Sequence, residues 1–244
     1  MAFAQSGLKP LFVCGAMALA SCVSTTTDTQ PTPQSQTPAK TSVQSISLSQ
    51  AKSKLAPISA RMESVAEREC RARTSKGTNC DYKISVDERP NLPANAYQTL
   101  DKTGRPLIIF TPALIAQTRN QDELAFVMGH EAAHHIAGHI GKTQNNAALG
   151  AILIGVAAAA AGAEGSLLDM AVNTGAQVGS RAYSKNFELE ADALGTVIAH
   201  KSGFNPVRGA EFFARIPDPG DQFLGTHPPN ASRMKIVKET AAKL

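Results

Sequence analysis

The chain has 244 residues, with 24 basic and 20 acidic side chains and a formal net charge of +4 at pH 7. This small positive excess gives no indication of a nucleic-acid-binding protein. Hydrophobic residues make up 43% of the sequence, a fraction that suits a globular domain with its own core rather than a disordered chain.

The N-terminus has the pattern of an export signal. Lys9 precedes an apolar run from Leu11 to Ala20 that is too short to cross a membrane permanently. Leu19-Ala20-Ser21-Cys22 resembles the lipobox of bacterial lipoproteins, which implies removal of residues 1–21 and lipidation of Cys22. Because the cysteine is not followed by Asp, the resemblance favours the outer membrane of a Gram-negative cell, on its periplasmic side. Secretion without a lipid is the alternative.

A polar segment separates the signal from the rest of the chain. Residues 22–47 are rich in Ser, Thr, Gln and Pro and contain few large apolar side chains. Such a segment cannot bury enough apolar surface to order itself. We therefore expect a disordered tether over residues 22–47 and a single folded domain over residues 48–244.

The first part of this domain combines one long helix with a small sheet. Apolar residues recur at helical spacing from Leu48 to Cys70, which predicts an amphipathic helix. Residues 82–86 alternate like a strand, and residues 96–100 and 107–110 flank a turn-forming Asp-Lys-Thr-Gly sequence. The expected fold class is therefore mainly α with a small antiparallel β-sheet.

Two cysteines remain after the signal and the lipidation site are set aside. Cys70 and Cys80 would lie in an oxidising compartment, where such a pair forms a disulfide. The alternative, a pair of zinc ligands, lacks the usual two- or four-residue spacing between cysteines.

The sequence His130-Glu131-Ala132-Ala133-His134 lies within a helical pattern that runs from Asp122 to His139. Residues four apart return to nearly the same face of an α-helix, so both imidazoles can reach one metal ion. Glu131 lies further round the helix, where it can take a proton from an activated water. This pattern predicts a zinc hydrolase, and a surface helix with two histidines is the alternative.

Residues 147–163 are Ala, Gly, Leu, Ile and Val without a charge. A transmembrane helix is one interpretation, but 17 residues are at the lower limit for a span, and Ala and Gly favour insertion only weakly. The preferred interpretation is a buried or lid-forming helical hairpin that turns at Glu164-Gly165 and returns over residues 166–178.

Catalytic zinc sites generally take a third protein ligand. His139 does not match the metzincin pattern, in which Gly and His follow the first His by seven and ten residues, because Gly138 and His139 follow His130 by eight and nine. His135 points away from His134 on a helix, so both histidines are expected near the site or at the surface. Glu188 is the better candidate, because Glu188 and Asp192 share one face of a second predicted helix. Asp192 would then hold a ligand imidazole through its outer N–H. A solvated acidic face is the alternative.

These motifs resemble the HtpX and BepA type of zinc metallopeptidase, the family that includes the CAAX prenyl protease. Its second-helix pattern, S-R-x-x-E-x-x-A-D, matches Ser184 to Asp192 with Lys185 in place of Arg. The resemblance extends to Asn95-Ala96-Tyr97 and to Thr226-His227-Pro228 with Arg233. It implies a zincin-like domain with one zinc ion held by His130, His134 and Glu188. It also implies that His227 lies near the metal, either as a fourth ligand that would act as a latch or as a donor to the oxyanion; a structural turn is the alternative.

The resemblance implies a zinc-dependent endopeptidase, with Glu131 as the general base, that degrades misfolded or unassembled envelope proteins. Protein substrates, the membrane through a lipid anchor, and the outer-membrane protein assembly machinery are the expected partners. Two alternatives stay open. One is a chaperone or assembly factor with little proteolysis, and the other is an integral membrane protease that uses residues 147–163 as a span.

Overall fold

The computed structural model describes residues 46–182, 184–218 and 227–244. The predicted signal sequence, the lipidation site Cys22 and the predicted tether up to residue 45 lie outside these residues. In chain order the elements are α1 (Leu48–Arg73), β1 (Lys83–Val86), β2 (Ala96–Leu100), β3 (Pro106–Phe110), α2 (Pro112–Gln117), α3 (Gln121–Ile136), α4 (His139–Ala160), α5 (Gly165–Arg181), α6 (Ser184–Lys201), α7 (Pro206–Ala210) and α8 (Asn230–Ala241).

Helix α1 begins where the sequence predicts it. Ser47 accepts a hydrogen bond from the backbone N–H of Gln50 at 3.2 Å, and the Gln50 side chain accepts one from the backbone of Ser47 at 2.9 Å. This reciprocal pair satisfies backbone donors that the first helical turn leaves free. The apolar face of α1 is buried in the core, and Cys70 near its end forms the predicted disulfide with Cys80.

The sheet has three strands in the order β1-β3-β2. Strands β2 and β3 form the predicted antiparallel hairpin, with Ala96 opposite Phe110. Strand β1 is parallel to β3, with Lys83 opposite Leu107, so the sheet is mixed and not antiparallel throughout. Alternation along a strand determines which side chains face the core but leaves the direction of the neighbouring strand open. For this reason the sequence pattern did not distinguish a mixed sheet from the expected antiparallel one.

Helix α3 is the centre of the domain, and all its residues from Asp122 to Ala133 are buried. Helices α1, α6 and α7 and strand β2 pack around it. The helix ends at Ile136, earlier than the predicted end at His139. Gly138 adopts a left-handed conformation (φ 67°) that glycine tolerates without steric cost, and the chain resumes as α4 at His139.

Helices α4 and α5 form the predicted helical hairpin, with α5 beginning at Gly165. The hairpin is not buried, because most of its large apolar side chains are exposed to solvent. Within the part of the chain that the structure describes, no helix combines the length and the hydropathy needed to cross a membrane.

Candidate metal centre

The two histidines of the motif are presented by a well-supported helix. Asn120 caps α3 by accepting a hydrogen bond from the backbone N–H of Glu123 at 3.0 Å. Asp122 and Glu123 lie in the first turn, where negative charge interacts favourably with the helix dipole. Both acids also pair with arginines from later in the chain, Asp122 with Arg208 and Glu123 with Arg215. These contacts fix α3 at its beginning, so His130 and His134 lie on a rigid element.

Helix α6 approaches α3 closely enough for its carboxylates to reach the histidines. Gly129 and Gly195 lie at the contact, and a methyl group added to Gly129 would lie 2.7 Å from the carbonyl oxygen of Gly195. A methyl group on Gly195 would lie 2.7 Å from the backbone nitrogen of His130. Because real side-chain carbons do not approach backbone atoms so closely, only glycine fits both positions.

Three side chains converge to form a potential metal-binding group. Nε2 of His130 lies 3.0 Å from Nε2 of His134 and 3.5 Å from Oε2 of Glu188. Nε2 of His134 lies 3.3 Å from Oε1 of Glu188. One ligand atom from each residue lies within 4.8 Å of the other two. Two imidazole nitrogens and one carboxylate oxygen are a donor set of catalytic zinc sites, so these residues fit the ion that the sequence implies.

His130 is oriented by Asp192. Nδ1 of His130 donates a hydrogen bond to Oδ1 of Asp192 at 2.9 Å, which leaves the lone pair of Nε2 available to a metal ion. Arg233 donates to both oxygens of this carboxylate, at 2.7 Å each, and stacks on the ring of Phe213. Burial alone would lower the pKa of His130, but hydrogen bonds to Asp192 and Glu188 raise it to about 10. The site therefore favours positive charge at this position.

The Nδ1 atom of His134 contacts His139, just as Nδ1 of His130 contacts Asp192. Nδ1 of His134 lies 2.8 Å from Nδ1 of His139, and Nε2 of His139 lies 3.1 Å from Oε2 of Glu190. The ring of His139 also stacks on Phe187. When Nδ1 of His134 carries the proton and donates it to His139, the lone pair of Nε2 faces the other ligand atoms and is available to a metal ion. The structure thus places His139 behind a candidate ligand, whereas His135 faces away and contacts the backbone carbonyl of Asn79 at 2.7 Å.

Negative charge at Glu188 is strongly favoured. Burial raises the pKa of its carboxyl group, but hydrogen bonds from His130, His134 and His227 lower the pKa far below its usual range. Asp192 follows the same pattern: burial raises its pKa, and hydrogen bonds from Arg233 and His130 lower it. Two carboxylates held ionised beside two imidazoles are suited to a divalent cation.

Glu131 follows His130 on α3 and borders the cavity that contains the three converging side chains. Among the described residues its carboxylate has no hydrogen-bond partner. A carboxylate held near the candidate metal position without a competing partner is available to accept a proton.

His227 contacts Glu188 rather than joining the three-residue group. Its Nδ1 lies 3.0 Å from Oε2 of Glu188, and its side chain is 53% exposed. The preceding Thr226 lies outside the described residues. The structure therefore places His227 at the rim of the site, within reach of a candidate ligand.

The cavity has a volume of about 830 Å³. One wall is the outer strand of the sheet, since β2 lies at one end of the strand order and residues 94–98 line the cavity. Another wall is apolar and includes Leu114, Phe126, Phe212 and Phe213. An extended peptide segment could pair with the outer edge of β2 while an apolar side chain rests against this apolar wall.

The supporting contacts of the site were predicted only in part. Arg233 was included only through the family resemblance, and His139 was expected near the site or at the surface without its contacts to His134 and Glu190. Gly138 was the available signal, because glycine just after a helix indicates its end. A helix that ends there brings His139 back towards His134, which a continuous helix would not do.

Comparison with known proteins is consistent with this site. The sequence profile of peptidase family M48 matches residues 56–241. The beta-barrel assembly-enhancing proteases of Yersinia pestis and Shigella flexneri are 28% identical over 153 residues and 29% identical over 157 residues. Each match covers 56% of this chain and 31% of the relative, so the chain matches about a third of their length. The mitochondrial metalloendopeptidase OMA1 of Schizosaccharomyces pombe is 25% identical over 142 residues, which cover 56% of this chain and 41% of the relative.

Proposed function

The chain belongs to peptidase family M48, and from this membership we propose that it is a zinc-dependent endopeptidase acting on proteins of the bacterial cell envelope. The observation that carries the proposal is the convergence of His130, His134 and Glu188 beside the carboxylate of Glu131, which borders the same cavity. A structural zinc site needs no such carboxylate, whereas peptide hydrolysis needs a general base.

The side chains divide the reaction between them. His130, His134 and Glu188 would hold one zinc ion, which supplies a Lewis acid that polarises the scissile carbonyl and makes water more acidic. Glu131 accepts a proton from the attacking water and returns it to the leaving amine. Asp192 and His139 keep the ligand imidazoles oriented from behind.

The cavity supports extended polypeptide as the substrate. Strand β2 offers backbone donors and acceptors along the cavity, and the apolar wall suits a large hydrophobic side chain. Such segments are accessible in misfolded or unassembled proteins and hidden in folded ones. Unassembled envelope proteins, including those of the outer membrane, are therefore the proposed substrates. The printed names of two relatives, beta-barrel assembly-enhancing protease, agree with this choice.

The proposed location is the periplasmic side of the outer membrane, with a lipid on Cys22 and residues 22–47 as the tether. The lipobox-like sequence supports this part of the proposal. The disulfide between Cys70 and Cys80 is compatible with it, because disulfides persist in the oxidising periplasm.

The test compares the wild-type chain with Glu131→Gln. The variant keeps the shape of the side chain and all three proposed ligands, so we expect an unchanged zinc content and loss of cleavage of an unfolded reporter protein such as casein. Mass spectrometry of the metal and gel analysis of the cleavage provide the two readouts. Undiminished cleavage by Glu131→Gln would refute the proposed base, and a zinc-loaded wild type that binds casein without cleaving it would favour the chaperone alternative.

A further inference from the structure

The hairpin of α4 and α5 has its large apolar side chains on the outside. Leu153 is 69% exposed, Val156 is 65% exposed and Met170 on the second helix is 60% exposed. Leu149, Ile152 and Leu167 are exposed as well. Several exposed, large apolar side chains grouped on one hairpin mark an interaction site.

Small residues occupy the contact between the two helices. A methyl group on Gly155 would lie 2.8 Å from Cγ2 of Val172, and one on Gly175 would lie 2.8 Å from Cβ of Ile154. Gly150 and Gly175 meet backbone to backbone. A helix pair stable in water buries most of its large apolar side chains, whereas in this hairpin glycines lie at the contact and many large apolar side chains are exposed. Helix pairs in lipid associate through small residues and direct large apolar side chains outwards.

The distribution of charge indicates which surface would cover the hairpin. No charged residue occurs from Thr143 to Ala163, and the acidic residues of the hairpin are the exposed Glu164 at its turn and the exposed Asp169 near the start of α5. Gly179 of α5 packs against the backbone of Asn146 of α4, so the beginning of α4 lies beside the end of α5. The exposed residues Lys142 and Arg181 therefore both lie at this end of the hairpin, away from its turn. Lys142 also lies 3.9 Å from Glu190. Basic residues that flank an apolar surface complement the head groups of anionic lipids.

One side of α5 is polar. Asp169, Asn173 and Gln177 recur every four residues and are all exposed. A helix pair with one polar stripe and a broad apolar surface is suited to lie in the membrane interface, with the stripe facing water. We propose that the α4–α5 hairpin inserts into the interface of an anionic lipid membrane without spanning it.

This contact is separate from a lipid on Cys22 and does not depend on peptidase activity. Insertion of the hairpin would hold the domain in a fixed orientation at the membrane. The first turns of α4, including His139 and Thr143, border the catalytic cavity, so this orientation also determines where the cavity lies. The cavity would then open close to the membrane surface.

The chain contains no Trp, so a single introduced Trp reports on its own surroundings. We would compare the full chain carrying Leu153→Trp with the full chain carrying Asn173→Trp, since both positions are exposed on the same hairpin. With vesicles of phosphatidylcholine and phosphatidylglycerol, emission from Leu153→Trp should shift to the blue and be quenched by brominated acyl chains. Asn173→Trp should show neither effect. The added changes Ile152→Ser and Val156→Ser should abolish the shift of Leu153→Trp.

Both variants carry the same N-terminus, so membrane binding through residues 1–47 cannot produce a difference between them. Emission from Leu153→Trp that ignores the vesicles would overturn the proposal. A blue shift that occurs without lipid and grows with protein concentration would assign the surface to a second copy of the chain instead. An equal shift with vesicles of phosphatidylcholine alone would overturn the preference for anionic lipid.

Discussion

The carboxylate of Asp192 lies 2.9 Å from Nδ1 of His130 and holds this imidazole with its other nitrogen facing Glu188. The same carboxylate is paired through both oxygens with Arg233, so it cannot turn away from the histidine. One buried acid thus links a candidate ligand on α3 to the last helix of the chain.

Asp192→Asn should weaken zinc binding about 10- to 100-fold, because the neutral amide orients and polarises His130 less effectively. Titration against a chromophoric zinc chelator measures this change. Asp169→Asn, on the exposed side of α5, is the control and should leave the affinity unchanged. Equal zinc affinity in Asp192→Asn and wild type would contradict the positioning role.

His139→Phe should also lower zinc affinity about 10- to 100-fold, since the ring can still stack on Phe187 but offers no nitrogen to His134. The matched control is His135→Phe, which keeps the edge contact with Tyr82 and removes only the bond to Asn79. His135→Phe should retain normal zinc affinity. The same chelator titration distinguishes the two, and an equal effect in both variants would argue against a specific role for His139.

Gly195→Ala should destabilise the fold by about 1 to 3 kcal/mol, because its methyl group must push α6 away from the backbone of His130. Zinc affinity should fall in the same variant, as Glu188 moves with α6. Gly141→Ala is the control: a methyl group there meets no atom within 4 Å, and alanine should stabilise α4 by up to about 1 kcal/mol. Urea unfolding measures both changes, and a stabilising Gly195→Ala would show that the two helices can separate without cost.

Replacing both Cys70 and Cys80 by Ser should lower the free energy of unfolding by about 2 to 3 kcal/mol, as expected for a short closed loop. The segment after the disulfide supports the motif helix, because Tyr82 donates to the carbonyl of Ala132 at 3.0 Å. A reducing agent should therefore lower the melting temperature of wild type and leave that of the double variant unchanged. Sensitivity of the double variant to the reductant would point to another cause.

Local patterns in the sequence were sufficient to predict α1 and the β2–β3 hairpin. Glu188 was predicted as a partner of the motif histidines from the helix face that it shares with Asp192 and from the family resemblance, and the structure brings the three side chains together. The fold class was predicted, but the sheet is mixed and not antiparallel throughout, since the hydrophobic alternation of β1 is the same for either direction. The family resemblance is confirmed by the match over residues 56–241.

The supporting contacts of the site were harder to predict because they depend on where chain segments bend. His139 reaches His134 only because Gly138 interrupts the helix, and a helical repeat drawn through Gly138 places His139 elsewhere. Arg233 reaches Asp192 from a helix 41 residues later in the chain. No local pattern specifies such a distant pairing.

The meeting of Gly129 and Gly195 also limits how this centre could be engineered into another scaffold. Copying the histidines and the glutamate onto two neighbouring helices of ordinary spacing would leave the carboxylate short of the imidazoles, since common interaxial distances of about 8 to 10 Å depend on the side chains at the crossing. A successful transplant would have to carry both glycines along with the donor atoms. In this protein the absence of two side chains is as much a design requirement as the presence of three others.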